Sequence, residues 1–361
     1  MAKLGEVCHL KAGKFVSAND ISPEYNKGLY PCFGGNGIRG YVADYTHDGE
    51  FPLIGRQGAL CGNVNLASGK FHATEHAVVV QPKIEMNVHW LYYAINAMNL
   101  GQYATGAAQP GLAVSKLETL SIEIPNISEQ NKIAQTLYKV EQLVNFRKQQ
   151  LAKLDELVKA QFVEMFGDIN VNNKKWMTYP LGELCTIVRG GSPRPIERYL
   201  GGTIPWIKIG DATTGENIYL NSTKEYIIQE GVKKSRMIKA GSLIFANCGV
   251  SLGFARIITF DGCIHDGWLA MEDIDEKLDK IFLLYSLNQM TEYFRKTAPA
   301  GTQPNLNTNI MKMHRQIVPP MEMQKAFISF VKCADRQKQI VQQSLDKLEL
   351  MKKALMQEYF G

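Results

Sequence analysis

Several things are missing from this 361-residue chain. No run of eighteen apolar residues occurs, so nothing in it reads as a membrane-spanning helix. The opening stretch, MAKLGEVCHLKAGKF, has neither the apolar core nor the cleavage site of a secretory leader. Seven cysteines (Cys8, Cys32, Cys61, Cys185, Cys248, Cys263, Cys333) are odd in number, scattered and never spaced C-x-x-C. That pattern argues against a disulfide framework or a zinc site, and for reduced thiols in the cytoplasm. There is no G-x-x-x-x-G-K-[ST] loop to cradle ATP phosphates. A strong charge of one sign is also absent: the net charge is +5 with a pI near 8.6. Residues 1–125 hold 9 basic against 10 acidic side chains, and residues 169–319 hold 18 against 14. A basic balance points to a polyanion only weakly, and the first segment carries no such footprint.

What is present is a repeat. KLDELVKAQFVEMFG (Lys153–Gly167) returns 194 residues later as KLELMKKALMQEYFG (Lys347–Gly361), with seven of fifteen positions identical. At the same offset GAAQPGL (Gly106–Leu112) answers AGTQPNL (Ala300–Leu306), and Pro125 answers Pro319. Upstream the register shifts. LIGRQGALCGNV (Leu53–Val64) answers LIFANCGVSLGFA (Leu243–Ala255), and LGEVC (Leu4–Cys8) answers LGELC (Leu181–Cys185). The order is globule, helix, globule, helix, a frame used twice with different material between its landmarks.

The globules read as mainly β. YPCFGGNGIRGYVADY, HAVVVQP, GSLIFANCG and GFARIITF mix β-branched and aromatic residues with Gly, Asn and Asp turns. From Ser128 to about Met165 the pattern changes to steps near 4 and 3, at Ile133, Leu137, Val140, Val144, Leu151, Leu154, Val158, Phe162 and Met165. The second copy places Phe327, Val331, Ala334, Val341, Leu345, Leu348, Leu355 and Met356 in the same way. This seven-residue recurrence predicts coiled-coil-like packing, with Ser128 as N-cap and Gly167 as terminator. Arg147 and Lys338 interrupt the stripes, either to fix register or to meet a partner.

Short links put the second globule between the end of helix one and the start of helix two, so helices that pack lengthwise run antiparallel. The expected fold class is α+β: two mainly β globular domains (1–125 and 169–319) separated by two long antiparallel coiled-coil-like helices (126–168 and 320–361), with a pseudo-two-fold internal repeat. A helix of roughly 36 residues spans about 54 Å. Two heads on such a rod could meet a duplex about 15 base pairs apart.

YPCFGGNGIRGYV, LIGRQGALCGNV with HATEHAVVV, TGAAQPGLAVSKLETLSIEIP and the twice-used EMFG/EYFG ending together resemble the specificity subunit of a type I restriction–modification system. The resemblance covers essentially the whole chain. It implies that each target recognition domain reads one half of an asymmetric bipartite site in double-stranded DNA, while the helices set the spacer. It also implies no catalytic activity and no cofactor of its own. Two methyltransferase (M) subunits would dock on it, binding S-adenosylmethionine to methylate adenine N6. Two restriction (R) subunits, where present, would bring ATP and Mg. Alone, the chain could self-associate through its apolar stripes.

Candidate DNA contacts are polar or basic residues in Gly-rich turns: Lys11, Lys14, Asn36, Arg39, Arg56, Gln57 and Gln109 in the first globule, and Arg189, Ser192, Arg194, Lys208, Asn247, Gln303 and Asn305 in the second. Arg and Lys suit guanine, Asn and Gln suit adenine, and any of them can hold a phosphate. RGGSPRP (Arg189–Pro195) is the sharpest loop, two Arg flanking a turn with little apolar content.

Two readings compete. HATEH (His72–His76) has the H-x-x-E-H form of some zinc peptidases, which would make a metal-dependent hydrolase or nuclease of His72, Glu75 and His76. That chemistry needs a helix, whereas this stretch runs into a strand pattern in which His72 and His76 share a face. The matching stretch CIHDG (Cys263–Gly267) does not keep the motif, so no metal is expected. The other is a non-catalytic two-headed scaffold for protein or glycan. Asn/Asp-Pro-Pro-aromatic, the tetrad of an adenine methyltransferase, is absent; Val318–Met321 lacks its polar head and aromatic tail. The acidic run Asp273–Lys277 reads as a solvated loop.

Overall fold

The computed structural model describes residues 1–106, 110–213, 218–249, 251–298 and 305–361. They form two compact units, one made of Met1–Gln149 with Val341–Gly361, the other of Gln150–Ile340. The division cuts through both long helices, where the sequence had set its boundaries at their ends.

In the first unit the strands are β1 (Cys8–Ala12), β2 (Tyr30–Gly34), β3 (Gly37–Val42), β4 (Phe51–Gly55), β5 (Val64–Ala67), β6 (Lys70–Ala73) and β7 (Ala77–Pro82). One sheet has the order β1-β7-β4-β5; another has β3-β2-β6 followed by the short strand His47–Asp48. The AVVV run of β7 does not alternate because both its faces are covered. Val78 and Val80 enter a core with helix α1 (Val88–Ala97), while Ala77 and Val79 join Phe33, Leu53 and Phe71 between the sheets. Asn87 caps α1 by accepting from the Trp90 N–H at 2.9 Å.

The second unit repeats the plan with β8 (Thr186–Arg189), β9 (Leu200–Ile207), β10 (Glu225–Ile227), β11 (Arg236–Ile238), β12 (Leu243–Ala246), β13 (Ala255–Ile258), β14 (Gly262–Ile264) and β15 (Trp268–Glu272). Its sheets run β8-β15-β12-β13, extended by Tyr219–Leu220, and β10-β9-β14-β11. The parallel pairing of β2 with β6 recurs as β9 with β14. Leu243, Phe245, Leu269 and Met271 face the helical side, and Ile244, Ala246, Trp268 and Ala270 the other sheet.

The long helices are α2 (Ile127–Phe166) and, after the Lys280–Gln289 helix α3, α4 (Met321–Phe360), each of 40 residues. Within the first unit Glu141 meets Lys352 and Lys148 meets Glu349, numbers falling on one helix as they rise on the other. In the second unit Asp155 meets Lys338 and Phe166 meets Phe327 in the same sense. The helices therefore pair antiparallel in each unit, as expected. Ile133, Leu137, Val140, Val144, Val158, Phe162, Phe327, Val331, Ala334, Val341 and Leu345 are buried. Leu151, Leu154, Met165, Leu348, Leu355 and Met356 are half-buried.

The residues interrupting the stripe serve the pairing. Arg147 Nε donates to Ser344 Oγ at 3.2 Å, and Lys338 sits between Asp155 and Asp335. Gly167 ends α2 as predicted, at φ +78 with its N–H on Val163 O. The N-cap differs. Asn126 Oδ1 accepts the Glu129 N–H at 3.0 Å, so Ser128 lies inside the first turn.

Candidate nucleic-acid interface

The two units share a hydrogen-bond frame. Gly55 N–H donates to Asn63 O and Ala246 N–H to Phe254 O; Arg56 N–H donates to His76 O and Asn247 N–H to Gly267 O. Leu112 N–H reaches Arg56 O as Leu306 N–H reaches Asn247 O, and Leu4 N–H meets Leu120 O as Leu181 N–H meets His314 O. One frame bond uses a side chain: Gln130 Oε1 accepts from Asn87 N–H at 2.9 Å, and Gln324 Oε1 from Asp279 N–H at 2.8 Å. The loops of each unit hang on this frame.

In the first unit Asn36, Arg39 and Gln57 converge, lining one concavity with Gly34, Gly35, His76 and the Gly58–Leu60 turn. The β2–β3 turn can lie this close because Gly55 has no Cβ: one would come 1.9 Å from Gly35 O. Asn36 Oδ1 accepts from Asn63 Nδ2 at 2.6 Å. Arg56 is half-buried and its Nε is sealed without a partner. Lys11 and Lys14 form a second group. Both are exposed, and both add to the burial that pushes the His47 imidazole below its ordinary pKa. Gln109 lies outside the described residues.

In the second unit the RGGSPRP loop is fastened to the β14–β15 turn. Arg189 Nε donates to Asp266 O at 2.9 Å and Ser192 Oγ to Asp266 Oδ1 at 2.8 Å. His265 lies next to it, 3.0 Å from Asp266 Oδ1. Burial pushes this imidazole down, Lys208, Arg194 and Arg189 add to that, and Asp266 opposes it. Arg189, Ser192, Arg194 and Lys208 are thus brought round one turn. Lys208 is also held, paired with Glu225 and 5.6 Å from the Trp206 ring centroid.

Asn247 departs from expectation. It is fully buried, its Nδ2 donating to Asn305 Oδ1 at 3.2 Å and to Leu306 O at 3.3 Å. Its amide closes a loop instead of facing solvent, and it takes Asn305 with it. Gln303 lies outside the described residues.

HATEH is also corrected. The strand stops at Ala73, so His72 and His76 do not share a strand face. His72 is buried with Nε2 3.2 Å from Lys14 O, whereas His76 sits in the turn, 3.2 Å from Glu75. Sequence reasoning matched HATEH to CIHDG but drew nothing from the acid at the fourth place of each, Glu75 and Asp266, which the structure holds at equivalent places. The motif hid this, because the histidine stands after one acid and before the other.

A family model described as the type I restriction modification DNA specificity domain matches residues 1–156 and again 173–350. The chain is 52% identical over 143 residues to the EcoprrI type I restriction enzyme specificity subunit of Escherichia coli, a stretch that is 39% of this chain and 36% of that protein. It is 26% identical over 324 residues to the putative type I specificity subunit S.HindORF215P of Haemophilus influenzae, covering 84% of this chain and 80% of that one. Among solved structures, the type I S subunit of M. genitalium superposes at a TM-score of 0.61 and 18% identity, covering 99% of this chain and 95% of that one. A chain from a study of complex assembly and conformational transition in the type I system gives 0.63 and 14%, covering 99% and 96%. At those identities the structures speak for the fold alone. With the family model matched over nearly its whole length, in two successive regions, the chain belongs to the family of type I restriction–modification DNA specificity domains.

Proposed function

We propose that the chain is the non-catalytic DNA-reading subunit of a type I restriction–modification complex, each unit reading one half of an asymmetric two-part target. One observation carries this reading: identical frame bonds support different side chains at the loop positions, Arg56 where the other unit has Asn247 and Gln57 where it has Cys248. A shared frame with unlike loops suits two half-sites of one duplex, each read in the major groove. The helices act as the spacer, each about 60 Å long at 40 residues.

A second repetition supports two copies of one partner. Phe146 and Ile340 are equivalent in the repeat and 58% and 55% exposed, and Leu157 and Met351 are equivalent and 49% and 42% exposed. Apolar side chains left out at matching places suit two identical subunits docking on the helices. Those would be the methyltransferases, which bind S-adenosylmethionine; restriction subunits, bringing ATP and Mg, join in a cytoplasmic complex.

Co-expression with the methyltransferase and genome-wide mapping of methylated adenines tests this. The expected result is a motif of two unlike parts with a fixed unread spacer. A single contiguous or palindromic motif refutes it. Deleting one turn from each helix is expected to shorten the spacer and leave both parts intact.

A further inference from the structure

The frame bonds fix the register in which HATEH faces CIHDG. Gly13 N–H donates to Ala77 O at 3.0 Å and Gly190 N–H to Trp268 O at 2.9 Å; Arg56 N–H donates to His76 O and Asn247 N–H to Gly267 O, each at 3.0 Å. In this register Glu75 stands where Asp266 stands. Each is at the turn between the last two strands of its unit, and their side chains are similarly exposed, 34% and 37%. Each carboxylate is steadied by an imidazole, His76 at 3.2 Å and His265 at 3.0 Å, although the two histidines lie on opposite sides in sequence.

Both acids sit among the groups chosen as DNA contacts. Glu75 and Arg39 act with opposite sign on the same thiol, Cys32, and His76 lines the concavity with Asn36, Arg39 and Gln57. Asp266 holds Ser192 and Arg189, with Lys208 and Arg194 close enough to act on its histidine. A carboxylate in a surface that meets phosphates is repelled by them, so keeping one at the same place in both units calls for a donor to offset it. An ionised carboxylate is acceptor-only, and a cytosine shows its exocyclic amino donor in the major groove. In each pair one oxygen is engaged by the imidazole. Glu75 Oε2 is enclosed, so a donor from outside would meet Oε1, which keeps a second lone pair beside the His76 contact, and no hydrogen bond is formed by the second oxygen of Asp266 among the described residues.

We propose that Glu75 and Asp266 are base-reading residues, one per unit, each accepting a hydrogen bond from the amino group of a cytosine in its half-site. This rests on the two-part reading above. The test compares complexes of the methyltransferase with the wild-type, Glu75→Gln and Asp266→Asn chains, by mapping methylated adenines and by titrating duplexes that differ at a single C·G pair. The wild-type motif is expected to hold a C·G pair in each half. E75Q is expected to lose discrimination at that pair in one half only, and D266N in the other, by roughly five- to a hundredfold. E75D and D266E keep the acceptor and are expected to keep cytosine with weaker binding. They also decide the matter if either amide variant fails to fold. A half-site without a C·G pair overturns the proposal. So does a uniform loss of affinity with an unchanged motif in E75Q and D266N, because a carboxylate that only steadied its turn would do that. If the wild type yields no two-part motif, it is the functional reading that fails.

Discussion

The two units solve one folding problem twice, and they agree or differ according to which atoms the frame uses. Where a frame bond comes from the backbone, the side chain is free to change: Arg56 and Asn247 make the same two main-chain bonds, one with a guanidinium and one with a buried amide. Where the frame uses a side chain, the residue is the same in both. Gln130 and Gln324 are each buried, accept from the N-cap residue of α1 or α3, and donate to Pro125 O or Pro319 O. Recognition loops can thus diverge while the fold stays fixed, because the two are held by different atoms.

The harshest test of a common frame is at the glycines that both units keep at the first crossing. A Cβ on Gly13 would lie 2.0 Å from Ala73 O, and one on Gly190 would lie 2.2 Å from His265 O. Gly13→Ala and Gly190→Ala are each expected to cost about 3 kcal/mol or more, since these carbonyls are held by the Lys14 and Trp268 N–H groups and cannot step aside. Hydrogen exchange resolved by unit measures this, and a cost below about 1 kcal/mol in either would break the equivalence. At Gly55 the units differ. A Cβ there would meet Gly35 O at 1.9 Å, yet the other unit has Ala246.

Acid should separate the units. His314, against Phe294 with ring centroids 5.1 Å apart, has its imidazole pushed by burial to about 4 and its Nε2 unpartnered. Its place in the first unit is taken by Leu120. The unfolded chain binds the proton near pH 6.5 and the folded one only near 4, so protonation favours unfolding. The stability is present above about pH 6.5 and is lost as pH falls toward 4, up to about 3 kcal/mol in the second unit. Unit-resolved exchange at pH 7 and pH 4.5 is the check, and His314→Leu is expected to flatten the difference. A smaller effect, about 2 kcal/mol, is expected from Gln130→Leu and Gln324→Leu, each leaving an N-cap N–H without its acceptor. Chemical denaturation should show the two costs matching within experimental error.

The helices were legible because side chains form their seam, and side chains are what a sequence prints. Stripe and Gly167 terminator followed from spacing, and direction from the short links around the second globule. The N-cap fell to Asn126 instead of Ser128 because two capping residues lie within one turn and only the backbone decides between them. In the heads the frame is written in N–H and C=O groups: the LGEVC/LGELC and HATEH/CIHDG matches already set Gly13 against Gly190 and Glu75 against Asp266, but only the geometry shows that each pair holds the same place in the frame. For the same reason Asn247 looked like a surface amide: its position in a Gly-rich turn was plain, its burial was not.

The finest comparison is along the helix pair. Lys338 is 23% exposed and lies between Asp155 and Asp335, whose carboxyl is pushed up by burial with Lys338 opposing. Lys338→Ala would leave half-buried carboxylates uncompensated and is expected to cost about 1–2 kcal/mol. Lys148 and Glu349 bridge the same two helices in the first unit at 2.9 Å, but with 56% and 50% of their side chains exposed. Water screens that pair, and ordering two long side chains offsets most of the attraction. Lys148→Ala is therefore expected to change stability by less than about 0.5 kcal/mol, and a double-mutant cycle with Glu349→Ala should return a coupling within that range. A larger coupling, insensitive to salt, would mean that the seam of the first unit depends on its charges as well as on Val144, Val341 and Leu345.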